Sequence, residues 1–339
     1  MLIESVAAFL AIAIVFYALF AGADFGAGIL LLLLPRERRA DLRHVVDRAI
    51  GPVWEANHVW LILAVVILFN GFPRAYASVS TVLHIPITLM LVGIVLRGTA
   101  FTFRHYDVVR DKTQRAYLRV FTISSLLTPF MFGVIAAGLV TWPPAQSMRF
   151  YARYLAPVLT PFAAAMGVFA CTLFAFLAAV YLIGETTDEA LRAVFAKRAR
   201  QLFVAAVLVG ATVVLTGRAG DVPIFRGMFR SPLAIGFALL ATLLVLPLLR
   251  SLKTASRWRP RVVAALQVAC VLGGWVALQY PYIVVGHGVA NGLTLQNAAA
   301  PARVMRLLLA ALGVGSFLIF PALFYLFRVF KRSMDGASS

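Results

Sequence analysis

The stretch Ala49 to Phe72, AIGPVWEANHVWLILAVVILFNGF, decides how the whole chain is read. Gly51-Pro52 is a turn signal, and a helix opens behind it. Trp54, Glu55, Asn57, His58 and Trp60 fill the first two turns, and every residue from Leu61 to Phe69 is apolar. This is the pattern of a membrane-spanning helix with a polar mouth. It has two readings. The mouth is an interfacial anchor, with tryptophan at headgroup level and the polar groups in water. Or it is a polar site just inside the membrane, where a carboxylate, an amide and an imidazole are costly to desolvate. What the rest of the chain brings to the same depth decides between them.

The chain has 339 residues, 62% of them hydrophobic and 13% charged. Soluble domains run nearer half apolar and about a quarter charged. An all-α, polytopic membrane protein is therefore expected. The net charge of +18 does not point to nucleic acid, because the basic residues cluster in short loops between apolar runs. Cys171 and Cys270 sit inside apolar runs without metal spacing and read as packing residues. The apolar run at the N-terminus is too long for a cleavable signal.

A bilayer needs about 20 apolar residues per helical span. Nine such runs are expected, at about 5–34, 53–72, 79–102, 118–140, 156–184, 200–216, 232–250, 262–285 and 304–328. They form one transmembrane domain over 1–332, with a disordered tail over 333–339. Arg36, Arg38, Arg39, Arg43 and Arg48 follow the first run. Comparable clusters follow the third, fifth and seventh runs and the ninth, while the alternate loops are poor in Lys and Arg. The positive-inside rule then puts the N-terminus outside and the C-terminus in the cytoplasm. The 141–155 loop, with Trp142-Pro143-Pro144, reads as an interfacial belt. Pro281 and Gly286 break the end of the eighth run, and backbone of that kind must be buried in protein or lie near water.

Asp24, Glu55 and Arg97 are ionisable residues inside predicted spans. Asp24 lies about ten residues, or about 15 Å, before the end of the first helix. Glu55 opens the second helix and Arg97 lies near the end of the third. The topology therefore brings all three to one half of the membrane. A lone buried charge costs roughly 2.5–3.5 kcal/mol on insertion scales, and pairing offsets part of it. Asp24–Arg97 reads either as a structural ion pair or as part of a proton-conducting or ligand-binding cluster. Gly22, Gly26 and Gly28 read as a close helix-packing stripe.

Of His44, His58, His84, His105 and His287, only His84 and His287 share an expected depth, which does not suit a bis-histidine haem. The sequence has no HExxH, Walker, GxSxG or CxxC pattern. What remains is electron transfer, proton transfer or transport.

AGADFGAGIL at 21–30, IGPVWEANHVWLI at 50–62, FPRAYA at 72–77, LRGTAFTFR at 96–104, TPFAAAMG at 160–167, AVYLIGETTDEALR at 179–192 and GLTLQNAAAP at 292–301 occur in one order. In this the chain resembles subunit II of cytochrome bd-type quinol oxidase over nearly its whole length. The resemblance implies two four-helix bundles plus a ninth helix. It implies a haem-free subunit beside a subunit I that carries haem b and haem d-type groups, oxidises quinol and reduces oxygen to water. It further implies contact with membrane lipids and quinone, a structural quinone or lipid near Trp54 and Trp60, and small single-helix subunits in some complexes. Nucleic acid is not among the expected partners. A cytoplasmic proton path or polar cluster would involve Asp24, Glu55, Asn57, His58, Arg97 and Thr102. Two departures bear on that path. Ala21 stands where the family commonly has an acid before Asp24, and Thr102 stands where it commonly has another acid before Arg104. A route without those carboxylates would use water, Thr102 and His58. The rival reading is a secondary transporter with an intramembrane charged site. Nine spans do not divide into equal inverted halves, which speaks against it.

Overall fold

The computed structural model describes residues 1–33, 45–46, 54–106, 111–143, 149–186, 188–253, 258–286 and 292–336, with side chains at 54–56, 104–106, 111–112, 320, 323–324 and 326–336 outside the description. Helix α1 runs Leu2–Leu33, α2 Trp54–Gly71, α3 Pro73–Val82, α4 His84–Tyr106 and α5 Asp111–Val140. Then come α6 Pro161–Ile183, α7 Glu189–Ala219, α8 Pro232–Leu243, α9 Val245–Ser251, α10 Arg259–Gln279 and α11 Ala302–Gly336. A two-stranded antiparallel sheet, β1 Tyr282–Val284 with β2 Leu293–Thr294, joins α10 to the last part of the chain.

Helices α1, α2, α4 and α5 form one four-helix bundle, and α6, α7, α8–α9 and α10 form a second. Helix α1 is the shared element. It packs on α2 and α5 in its own bundle, on α6 and α10 in the other, and on α11. The glycine stripe makes this possible. A Cβ on Gly26 would lie 1.9 Å from the Phe174 carbonyl oxygen of α6. One on Gly28 would lie 2.2 Å from Ser125 Oγ of α5. Two helices this close need a residue without a side chain at the crossing.

Eight helices among the described residues are long and apolar enough to cross a membrane. The count reaches nine when α2, from Asn57, and α3 are taken as a single span bent by 117°. The bend has a local cause. Pro73 opens α3 and disfavours helical geometry at Phe72, which sits at φ −133° and ψ 59°.

Several boundaries differ from the hydropathy reading. The third span begins at His84, not near 79, because residues 79–82 complete α3. The fifth begins at Pro161, where Thr160 caps the helix by accepting from the Ala163 N–H at 3.0 Å. A π-helical turn at Tyr151–Leu155 precedes it. The sixth starts at Glu189, much earlier than 200, because Asp188 caps it at 2.8 Å and the basic turn 192–200 stays helical outside the apolar window. The seventh breaks between Leu243 and Val245. The eighth stops at Gln279, and α11 continues to Gly336, past the expected start of a tail. Trp142, expected in an interfacial belt, is buried.

The irregular segment after α10 is satisfied by protein, as required of broken backbone at depth. The Val285 N–H donates to the Leu139 carbonyl at 2.8 Å, and Gln279 Nε2 donates to the Ile283 carbonyl at 2.6 Å.

Candidate functional site: a buried ion pair behind an open cleft

Asp24 on α1 and Arg97 on α4 meet inside the first bundle, 1% and 4% exposed. Arg97 Nη1 donates to Asp24 Oδ2 and Nη2 to Oδ1, both at 2.7 Å. Nη2 also donates to the Asp24 carbonyl at 2.9 Å, and Nε donates to Ser125 Oγ of α5 at 3.0 Å. Ser125 in turn donates to the Phe121 carbonyl at 2.6 Å. The guanidinium carbon lies 4.7 Å from the ring centroids of both Phe25 and Phe121. A planar fork held bidentately and sandwiched by two rings suits arginine and not lysine. Three helices are tied at one point, and both carboxylate oxygens are engaged by the same cation.

The second helix brings its polar residues to the edge of this site. Asn57 is buried. The His58 ring lies between Tyr17, with centroids 6.1 Å apart, and Phe25, at 6.2 Å. Trp60 is 7% exposed and packs on Phe16 at 4.6 Å and on Phe20 at 6.4 Å. It therefore sits in the seam between α1 and α2. Trp54 and Glu55 open α2, but their side chains lie outside the described residues.

Helix α2 packs on α1, and α4 packs on α5. Between α2 and α4 an open cleft of about 430 Å³ is lined by His58, Ile94, Val95, Gly98, Thr99, Thr102 and Phe103. His58 and Thr102, the two relays expected when the acids are missing, thus share one cavity. The Asp24–Arg97 pair is not among its lining residues. The ion pair and the cleft adjoin at Phe25, whose ring meets both Arg97 and His58.

His84 lies apart from both, with Nδ1 2.9 Å from the Thr81 carbonyl and its ring against Tyr154. His105 lies within α4, not in a loop, and its side chain is outside the described residues, as are His44 and His287. A second ion pair ties the other bundle. Arg261 of α10 donates to Glu185 Oε1 and to the Tyr181 carbonyl, both at 2.6 Å, and stacks over Tyr181 at 4.3 Å. Both side chains of this pair are 11% exposed. Glu185→Ala is expected to cost about 3 kcal/mol, since it strands the Arg261 charge. The thermal midpoint of the purified protein measures it.

Ser125, Phe25 and Phe121 were not singled out from sequence. A signal existed for the serine, because Thr122, Ser125 and Thr128 recur at three-residue spacing in an otherwise apolar helix and so share a face.

The family model for cytochrome bd terminal oxidase subunit II matches residues 2–330. Among curated proteins, the chain is 29% identical over 230 residues to cytochrome bd ubiquinol oxidase subunit 2 of Bacillus subtilis (strain 168), covering 67% of each chain. It is 26% identical over 177 residues to cytochrome bd-I ubiquinol oxidase subunit 2 of Escherichia coli (strain K12). That second match covers 51% of this chain and 46% of the relative, so about half of each is compared. Among solved structures, bd oxidase from Geobacillus thermodenitrificans has a chain that superposes with a TM-score of 0.79. The match is at 19% identity and covers 97% of this chain and 98% of that one, a likeness of fold. With a family match over almost every residue and the same fold in a solved relative, this multi-pass membrane chain belongs to the cytochrome bd terminal oxidase subunit II family.

Proposed function

We propose that this chain is the non-haem subunit of a quinol:oxygen oxidoreductase and works beside a haem-bearing subunit I. Quinol supplies electrons and protons there, and oxygen is reduced to water. Curated relatives named as ubiquinol oxidase subunits support the reaction class. The orientation argued from the basic loops completes the picture, with the C-terminal end of α1 and the start of α2 on the cytoplasmic side.

The packing of the first bundle supports the haem-free part of this reading. Its Tyr17, Phe25 and Trp60 pack with Phe174 of α6 as one cluster. Among the described residues, His58 is the one imidazole set against that cluster, and a bis-histidine haem needs a facing ligand. The cleft, by contrast, fits a prenyl chain, a quinone ring or a lipid tail. Ile94, Val95 and Phe103 supply apolar lining, while His58, Thr99 and Thr102 supply hydrogen-bonding groups. A quinone bound there would contribute burial and order to the subunit.

The observation that carries the reading is the separation of the locked pair from the open cleft. Both oxygens of Asp24 accept from Arg97, so the carboxylate and the guanidinium form one closed bidentate unit. Its role is to clamp α1, α4 and α5. Proton movement, where this subunit contributes it, uses the cleft side, from Glu55 in the first turn of α2 through Thr102 and His58. Neutral imidazole has one donor and one acceptor nitrogen and can pass a proton between them.

A tagged chain is expected to co-purify with a partner that shows haem absorption. A haem-free chain that moves solute in vesicles would instead support the transporter reading. Within the complex, His58→Phe keeps ring volume between Tyr17 and Phe25. It is expected to leave haem content unchanged and slow proton-coupled turnover by about 10²-fold. Unchanged turnover would remove His58 from the route.

A further inference from the structure

Two buried hydroxyls in the first bundle have no hydrogen-bond partner among the described residues. Tyr17 Oη and Thr128 Oγ1 are enclosed, Tyr17 being 4% exposed and Thr128 0%. The threonine is the more telling of the two. On the same helix, Thr122, Ser124 and Ser125 each donate back to a carbonyl one turn earlier, at 2.9, 2.6 and 2.6 Å. That local bond is the usual resort of a hydroxyl in an apolar helix. Thr128 forgoes it and turns its hydroxyl toward α4. There, a Cβ on Gly93 would lie 2.3 Å from Oγ1.

The two hydroxyls lie on successive turns on the same side of the ion pair. Thr128 is one turn along α5 from Ser125, and Gly93 is one turn along α4 from Arg97, so both lie just beyond the ion pair. Phe132, a further turn along α5, touches the Tyr17 ring at 5.2 Å. His58 touches Tyr17 from α2 at 6.1 Å and lines the cleft on its other side. Tyr17, His58, Gly93 and Thr128 come one from each of the four helices, Tyr17 meeting His58 and Gly93 meeting Thr128.

We propose that this part of the bundle binds internal water at the Tyr17 and Thr128 hydroxyls, on the side where His58 lines the cleft. A buried water needs two or more polar partners, and an unpaired buried hydroxyl is costly, so each supplies what the other lacks. The site deepens the proton route proposed above and rests on that reading for its role. It gives His58 an inner partner, so that the route extends into the bundle without a carboxylate.

The test uses the assembled oxidase and has two arms. High-resolution density should show a water within hydrogen-bond distance of Tyr17 Oη or Thr128 Oγ1, and Thr128→Val should abolish it. The thermal midpoint should fall by a few degrees in Thr128→Val and be restored in Thr128→Ser. Deleting an orphan hydroxyl from a dry site would leave the midpoint unchanged or raise it, and that result overturns the proposal. So does density showing the two hydroxyls bonded to protein alone. The second arm measures proton uptake in Tyr17→Phe, which keeps the ring. Slowed uptake with normal haem content supports the water site as the inner end of the route. Normal uptake beside a confirmed water refutes the route while leaving the binding site established.

Discussion

Arg97→Ala is expected to prevent assembly of the oxidase, with little or no complex recovered from membranes. The substitution removes four donated hydrogen bonds at once and leaves the Asp24 carboxylate buried without a counter-charge. Breaking a buried pair from one side costs about 3–5 kcal/mol. That is comparable to a large share of the stability of an ordinary domain. The expected outcome of removing both partners is different. Asp24→Leu with Arg97→Met leaves no buried charge, and Ser125 keeps its bond to the Phe121 carbonyl. Such replacements of buried pairs are often neutral or stabilising. The double variant should therefore recover much of the complex that the single variant loses. Turnover of the recovered complex then separates the two roles of Asp24. Near-normal turnover marks the pair as a clamp. An assembled but slow enzyme would show that Asp24 carries protons and would sink the division between locked pair and open cleft.

That division was only half legible in the sequence. Topology and charge alone place Asp24 and Arg97 at one depth, because a helix that ends where another begins fixes the level of both. Side-chain rotation about each helix axis is another matter. In a helix apolar nearly all round, periodicity does not single out a face. Sequence therefore grouped His58 and Thr102 with the ion pair, whereas the structure turns them into a separate cavity. Phe25 and Phe121 were invisible for the same reason, being two among 26 phenylalanines. The helix ends show a related blind spot. Hydropathy marks where a helix is greasy, while caps mark where it starts. Asp188 starts α7 well before its apolar part begins. Pro73 was visible in the sequence but not the 117° bend beside it, because proline at the first position is equally at home in a continuing chain direction.

The departures at Ala21 and Thr102 gain a physical meaning from the same geometry. Ala21 is buried among Tyr17, Phe25, Trp60 and Phe174, where a carboxylate would need a partner of its own. Thr102 faces the cleft and is exposed. An acid at position 102 would be hydrated there at modest cost. Thr102→Asp is thus expected to fold, and to speed proton uptake if the cleft is the route. Measured uptake in the assembled complex at fixed quinol concentration decides it, and an unchanged rate would argue against the cleft. The two positions are not equivalent, since one is closed to charge and the other remains open to it.

Gly26→Val is expected to be as damaging as loss of Arg97, for a reason that involves no charge. The added Cβ would stand 1.9 Å from the Phe174 carbonyl oxygen and 2.8 Å from Ala178 Cβ. The first obstacle is backbone, so α1 and α6 would have to separate along their whole contact. That contact joins the two bundles, and a disruption of this kind costs more than about 4 kcal/mol. Gly22 offers a control one turn away. A Cβ there meets Leu177 Cδ1 at 2.9 Å, the far end of a flexible side chain that can move aside. Gly22→Ala should cost within about 1 kcal/mol, as slight overpacking does when a rotamer can adjust. Gly28→Ala tests the link from packing to the polar site. Its Cβ would press Ser125 at 2.2 Å from Oγ and 2.4 Å from Cβ, displacing the group that accepts from Arg97 Nε. The expected order of complex yield and thermal midpoint is therefore Gly22→Ala above Gly28→Ala above Gly26→Val. If all three behaved alike, the stripe would act only as a generic small-residue seam. The graded order instead requires that α1 be pinned at Gly26 against α6, which holds Asp24 at the register where Arg97 can reach both of its oxygens.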